Sequence, residues 1–156
     1  MIHLRPGDKA PPFEGPDQHG NTVGLSDFSG KTLILYFYPK DNTPGCTAEA
    51  VNLKDNFETL VARGFSVVGV SPDTITSHQR FAEKYDLPFP LIADPEKKIL
   101  NDYDVWGEKK TFGRTYMGVH RTTFIIDGEG IITHIFTKVK TREHTAQILE
   151  TTNDEH

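Results

Sequence analysis

Two unbroken apolar runs constrain this chain more than any other feature. Leu33-Ile-Leu-Tyr-Phe-Tyr38 and Phe65-Ser-Val-Val-Gly-Val70 are short, rich in β-branched and aromatic residues, and do not alternate with polar ones. Strands of this kind have no wet face, so they belong in a sheet covered on both sides. The residues between them read as a helix. Ala50, Leu53, Phe57, Leu60 and Val61 recur at helical spacing, and Gly64 supplies a stop. The helix begins at Thr43-Pro-Gly-Cys46, where Thr is a good N-cap and Pro at the first helical position loses no useful N–H.

Further along, a helix is expected over 75–85, a short strand at Leu91-Ile-Ala93 and another helix near 96–103. Thr122-Thr-Phe-Ile-Ile126 and Ile131-Ile-Thr-His-Ile-Phe136 read as a hairpin around Asp127-Gly-Glu-Gly130, since Gly supplies the positive φ of tight turns. A short strand at 22–25, followed by a helical turn, precedes all of this, and a helix over 142–151 closes the chain. Residues 105–118, with Trp106 and Phe112, read as a loop whose aromatics pack on the core or form a lid. Strands alternating with helices, then a hairpin, predict an α/β protein with a mixed central β-sheet flanked by helices. At 156 residues the chain is expected to be one domain, 1–156, with its core over about 4–150.

The composition narrows the function classes. A net charge of −5 argues against nucleic acid and anionic membrane surfaces, which select basic proteins. The largest basic cluster, Lys138-Val-Lys-Thr-Arg142, is short and reads as a solvated strand end. No segment approaches the ~20 apolar residues of a membrane span, and the N-terminus has no signal-like apolar stretch. With one cysteine the chain cannot form an internal disulfide, and the expected compartment is a reducing cytoplasm. The seven histidines, His3, His19, His78, His120, His134, His144 and His156, show no metal-ligand spacing with carboxylates or Cys46. No nucleotide or haem motif is present, so no cofactor and no metal are expected.

Cys46 has two readings. It continues the stripe of Ala50, Leu53, Phe57 and Leu60, as a small buried hydrophobe would. It also lies in the first turn of a helix, where the dipole and unpaired backbone N–H groups favour thiolate. A loop leaving the carboxyl edge of a sheet is, moreover, where open α/β folds place ligands.

Pro39-x-x-x-Thr43-x-x-Cys46 resembles the active-site signature of the peroxiredoxins. Phe37-Tyr-Pro-Lys-Asp-Asn-Thr-Pro-Gly-Cys-Thr-Ala-Glu49 resembles that of the bacterioferritin-comigratory, or Q-type, subfamily. Gly7-Asp-Lys-Ala-Pro-Pro-Phe13, Val67-Val-Gly-Val-Ser-Pro-Asp73 and His120-Arg-Thr-Thr-Phe-Ile-Ile-Asp127 resemble three further family segments in the same order. The resemblance implies a thioredoxin-like fold and reduction of hydrogen peroxide and organic hydroperoxides. It implies Cys46 as the peroxidatic nucleophile, Thr43 as the group that orients the peroxide, and Arg121 as the stabiliser of thiolate and leaving oxygen. Pro39 is implied to shield the sulfur. Glu49 is expected to hold Arg121 or the first helical turn, and His120 adjoins the site as a tuning candidate. Each has a plain alternative: Thr43 as a cap, Arg121 in a surface ion pair, Glu49 as an exposed helix charge.

Thiolate formation alone does not make a peroxidase. Lowering a thiol pKa from about 8.5 to about 6 raises the thiolate fraction roughly 30-fold at neutral pH. The falling nucleophilicity takes back roughly tenfold. The larger share must come from orienting the O–O bond and meeting charge on the departing oxygen.

Many subfamily members carry a second cysteine five residues after the first; here that residue is Val51. At ~100° per residue it points ~140° away from Cys46 around the helix. The expected cycle therefore has one cysteine and an external thiol, either thioredoxin or glutathione with glutaredoxin. The resemblance favours a monomer, with a weak homodimer as the alternative. Two rivals stand beside this reading. A thiol–disulfide oxidoreductase wants Cys-x-x-Cys, which Glu49 breaks. A non-catalytic redox sensor or interaction protein on the same scaffold would oxidise once and stop.

Overall fold

A computed structural model describes residues 2–153, leaving His156 outside the described residues. The first strands, β1 (Glu14–Pro16) and β2 (Thr22–Gly24), form a small antiparallel pair, and a 3-10 turn covers Leu25–Phe28. The chain continues through β3 (Thr32–Phe37), α1 (Pro44–Asp55), α2 (Phe57–Ala62), β4 (Phe65–Ser71), α3 (Ile75–Tyr85), β5 (Leu91–Ala93) and α4 (Lys98–Asp102). It ends with β6 (Trp106–Thr111), β7 (Arg114–Val119), β8 (Thr122–Ile126), β9 (Ile132–Phe136) and α5 (His144–Asn153). The central sheet has the order β5-β4-β3-β8-β9. The β3–β4 and β4–β5 pairs are parallel, and the β3–β8 and β8–β9 pairs antiparallel, so the sheet is mixed as expected.

The two apolar runs become adjacent central strands, and their alternation divides the core. Leu33, Leu35 and Phe37 face one side with Val68, Val70, Phe124 and Tyr103; Ile34, Tyr36 and Tyr38 face the other with Leu53, Leu60, Phe81 and Ile148. Helices α1, α2, α3 and α5 thus share a layer on the second face, and this is the face that receives Cys46. Gly69 has a packing reason in the middle of β4. A Cβ there would lie 2.8 Å from the Tyr36 ring, so only glycine lets that ring cross the strand.

Four expectations need correction. The helix expected between Thr43 and Gly64 is two helices, broken at Asn56, whose side-chain amide donates to the Asn52 carbonyl. The break turns Val61 outward, so it is 52% exposed and not part of the buried stripe. Residues 105–118 are a hairpin rather than a loop, with β6 and β7 paired from Trp106↔Val119 to Thr111↔Arg114. Its turn residues, Phe112 and Gly113, both have positive φ, at 52° and 77°, as a two-residue primed turn demands. Phe112 sits on that tip, 99% exposed, and is neither core nor lid.

Candidate active site

Cys46 is the third residue of α1 and points inward, only 2% exposed. Glu49, Ala50 and Leu53 are buried on the same side of the helix. Thr43 is the N-cap by position, and its carbonyl accepts the first helical bond, from the Thr47 N–H at 2.8 Å. Its hydroxyl does not cap: it donates to the Lys40 carbonyl at 2.8 Å and leaves its lone pairs open. The Gly45 and Cys46 amides lie in the first turn, ahead of any intrahelical partner. Pro39, half-buried, leads out of β3 towards this turn.

Arg121, just ahead of β8, reaches across to α1 and joins two of its residues. Its Nη2 donates to Cys46 Sγ at 3.3 Å and its Nη1 to Glu49 Oε1 at 2.6 Å. Gly45 leaves room for this approach, since a Cβ there would sit 3.2 Å from Nη2. Burial opposes the Arg121 charge. The adjacent Glu49 carboxyl and Cys46 sulfur outweigh it, and the guanidinium pKa is held above its usual value. A planar fork with two donors suits this bridging role, which a point-charge ammonium does not reproduce.

Glu49 is fully buried, not an exposed helix charge. Burial pushes its carboxyl from 4.5 up to about 7, although Arg121 pulls the other way. Among the described residues Glu49 Oε2 has no hydrogen-bond partner, but His144 Nε2 lies 3.6 Å away. The His144 tautomer follows from its surroundings. Gln147 donates its Nε2 to the Lys138 carbonyl and accepts the Lys140 N–H on Oε1, which fixes the amide. His144 Nδ1 faces that same Oε1 at 3.0 Å, so Nδ1 carries the proton and Nε2 accepts from Thr123 Oγ1 at 2.8 Å. Burial, with the Arg121 charge assisting against the Gln147 bond, pushes His144 down to about 4. The Tyr36 hydroxyl is also buried without a partner among the described residues. Burial first, then Glu49, Asp41 and Cys46, hold it well above its usual pKa, so it stays a phenol.

The arrangement is a buried sulfur at a helix start, one cation bridging it to a carboxyl, and an oriented hydroxyl nearby. It can hold an anion, and it can meet charge appearing on an atom next to the sulfur. A family model described as the AhpC/TSA family matches residues 6–135. Peroxiredoxin Bcp of Bacillus subtilis is 48% identical over 148 residues, covering 95% of this chain and 94% of the relative. The chain is a peroxiredoxin of the AhpC/TSA family.

The peroxiredoxin Bcp of Escherichia coli K12 is 45% identical over 149 residues, 96% of each chain. A cysteine mutant of Xylella fastidiosa PrxQ superposes with a TM-score of 0.92 at 29% identity over 99% of both chains. The Xanthomonas campestris bacterioferritin comigratory protein, solved in a study of its alkyl peroxide reduction, gives a TM-score of 0.86 at 29% identity over 99% of both chains. The fold is thioredoxin-like, and the activity is that of a thiol-dependent peroxidase.

The structure brings together Cys46, Arg121 and Glu49, with Thr43 on the turn before them. It does not bring His120 in: that ring is exposed and its Nε2 pairs with the Glu108 carbonyl at 3.0 Å, tying β8's approach to the hairpin. Val51 lies on the outer side of α1, lining a groove of about 670 Å³ with Pro44, Thr47 and Ala48. Two groupings escaped the sequence reading. His144 carries no motif and joins Glu49 only through α5. The acid–base atoms of Asp41, Asp73 and His78 lie within 4.8 Å of one another, although no histidine shows ligand spacing along the chain. Both His78 nitrogens already face protein acceptors, so this is a hydrogen-bonded cluster rather than a ligand set.

Proposed function

We propose that this peroxiredoxin runs a one-cysteine cycle in which Cys46 is the peroxidatic residue. The observation that carries the reading is the Arg121 fork, bonded at once to the sulfur of the chain's one cysteine and to buried Glu49. The Cys46 thiolate attacks one peroxide oxygen. The S–O bond forms as the O–O bond breaks, and the departing oxygen takes a proton to leave as water or an alcohol. Thr43 orients the peroxide with its open lone pairs, Arg121 meets the charge on the leaving oxygen, Pro39 screens the sulfur, and Glu49 holds the guanidinium. Val51 offers no resolving thiol, so an external thiol attacks the sulfenic acid, expelling water and forming a mixed disulfide. A second thiol then releases Cys46. Until that happens the sulfenic acid is open to further oxidation.

The reductant is thioredoxin or glutathione with glutaredoxin, consistent with a cytoplasmic protein. The working unit is a monomer, as the family resemblance implies. No helix among the described residues is long and apolar enough to cross a membrane. The test is steady-state peroxide consumption with each reducing system, recycled by NADPH. Sustained turnover with either supports the cycle. Consumption of a single equivalent with both would instead identify a redox sensor on a peroxiredoxin scaffold.

A further inference from the structure

The turn that carries Thr43 and leads into Cys46 is gripped from one side by α3. Asp41, 7% exposed, lies two residues before Thr43. Its Oδ1 accepts from the Tyr38 hydroxyl at 2.6 Å, and its Oδ2 from Ser77 Oγ at 2.8 Å. Its backbone N–H donates to Asp73 Oδ2 at 2.9 Å, an oxygen that also accepts from Ser71 Oγ. Asn42 follows with a left-handed φ of 60°, and its Oδ1 accepts from Lys84 and Tyr85 of α3 at 3.2 and 3.4 Å. That backbone conformation is uncommon outside glycine and persists where its surroundings hold it.

His78, fully buried on α3, closes the grip. Its Nε2 lies 3.0 Å from the Ile92 carbonyl, and a carbonyl only accepts, so Nε2 carries a proton. Its Nδ1 lies 2.6 Å from Asp41 Oδ2. Two bare lone pairs do not meet at that distance in a buried site, so a second proton lies between them. The Tyr38 hydroxyl does not supply it, since its own proton is donated to Asp41 Oδ1. Burial, then the nearby Tyr36 and Asp41, keep Tyr38 a phenol. One proton thus joins Asp41 Oδ2 to His78 Nδ1, while Tyr38 and Ser77 hold the same carboxyl from its other sides.

We propose that His78, tied through Nδ1 to the Asp41 carboxyl and through Nε2 to the Ile92 carbonyl, is a positioning residue for the peroxide reaction. It fixes Asp41, and through Asp41 the turn that presents Thr43 and starts α1 at Cys46. This rests on the peroxidase reading of that turn.

Two substitutions separate the ring's contacts. His78→Asn keeps a donor where Nδ1 stands, towards Asp41; His78→Gln keeps one where Nε2 stands, towards Ile92. The measurements are the rate of sulfenic acid formation with hydrogen peroxide and amide hydrogen exchange across 41–43 and 91–93. His78→Gln is expected to slow sulfenic acid formation roughly 100-fold, the cost of a misplaced reacting group. It should also speed exchange at 41–43. His78→Asn should stay close to wild type on both readouts and loosen 91–93. Equal losses in the two variants, no loss in either, or the reverse pattern overturns the proposal.

Imidazole 15N NMR of wild type gives an answer that needs no variant to fold. Both His78 nitrogens are expected to show hydrogen-bonded signals, and an Nδ1 with the shift of an unbonded nitrogen overturns the proposal. Failure of wild type to form any sulfenic acid would sink the peroxidase reading instead, and the exchange at 41–43 would still decide the grip.

Discussion

Glu49 and His144 face each other inside the protein with opposed shifts, and folding should pass a proton between them. Between about pH 4.5 and 6.5 the unfolded chain carries a Glu49 carboxylate and a His144 imidazolium. The folded protein, with Glu49 raised to about 7 and His144 lowered to about 4, carries a carboxylic acid and a neutral ring. Glu49 therefore contributes stability that is complete below pH 4.5 and lost as pH rises through about 7. His144 contributes stability that is present above pH 6.5 and lost as pH falls through about 4. At about 1.4 kcal/mol per tenfold change in proton affinity, each arm is worth about 3 kcal/mol. The slopes have opposite sign and overlap, so in wild type they cancel. Glu49→Gln removes the Glu49 arm, and its unfolding free energy should climb relative to wild type by about 3 kcal/mol from pH 4.5 to 7. His144→Asn should fall relative to wild type by a similar amount between pH 4 and 6.5. Urea unfolding followed by circular dichroism at half-unit pH steps reads both, and taking differences from wild type removes the other titrating groups. Two variants offset from wild type by a constant, with no slope of either sign, would refute the reasoning.

Other expectations follow from the same geometry. Arg121→Lys retains a charge but cannot span Cys46 and Glu49, and should lower the rate of sulfenic acid formation by roughly 10²–10³, as loss of one transition-state donor does. Gly45→Ala pushes on the same guanidinium from 3.2 Å and should lower that rate by less, with little change in thermal unfolding. Leu53→Ala, at a fully buried position of α1, should cost about 2–5 kcal/mol in urea unfolding.

Much of the fold could be read because its signals are local. β3 and β4 are continuous apolar runs, Thr43-Pro44 marks a helix start, and Gly128 and Gly130 mark the β8–β9 turn. The β6–β7 hairpin was hidden because Glu108, Lys110, Thr115 and Tyr116 are all exposed, and with little burial there is no alternation to see. Its Phe112-Gly113 turn also lacks the Asn or Asp that usually announces the type. The break at Asn56 depends on one side chain returning to the Asn52 carbonyl. At the site, Thr43, Cys46 and Glu49 follow one another at three-residue steps along the start of α1, and Arg121 came through resemblance. His144 and His78 could not be read, because their partners lie 95 and 37 residues away and meet them only when the helices pack.

The central claim is that peroxide chemistry takes place at Cys46. Its most direct test is the intact mass of the protein after one equivalent of hydrogen peroxide with a sulfenic acid trap present, on wild type and Cys46→Ser. The account predicts a trapped adduct within seconds on wild type and none on the variant. A wild-type thiol that stays unmodified for many minutes, or an adduct that persists in Cys46→Ser, would contradict it.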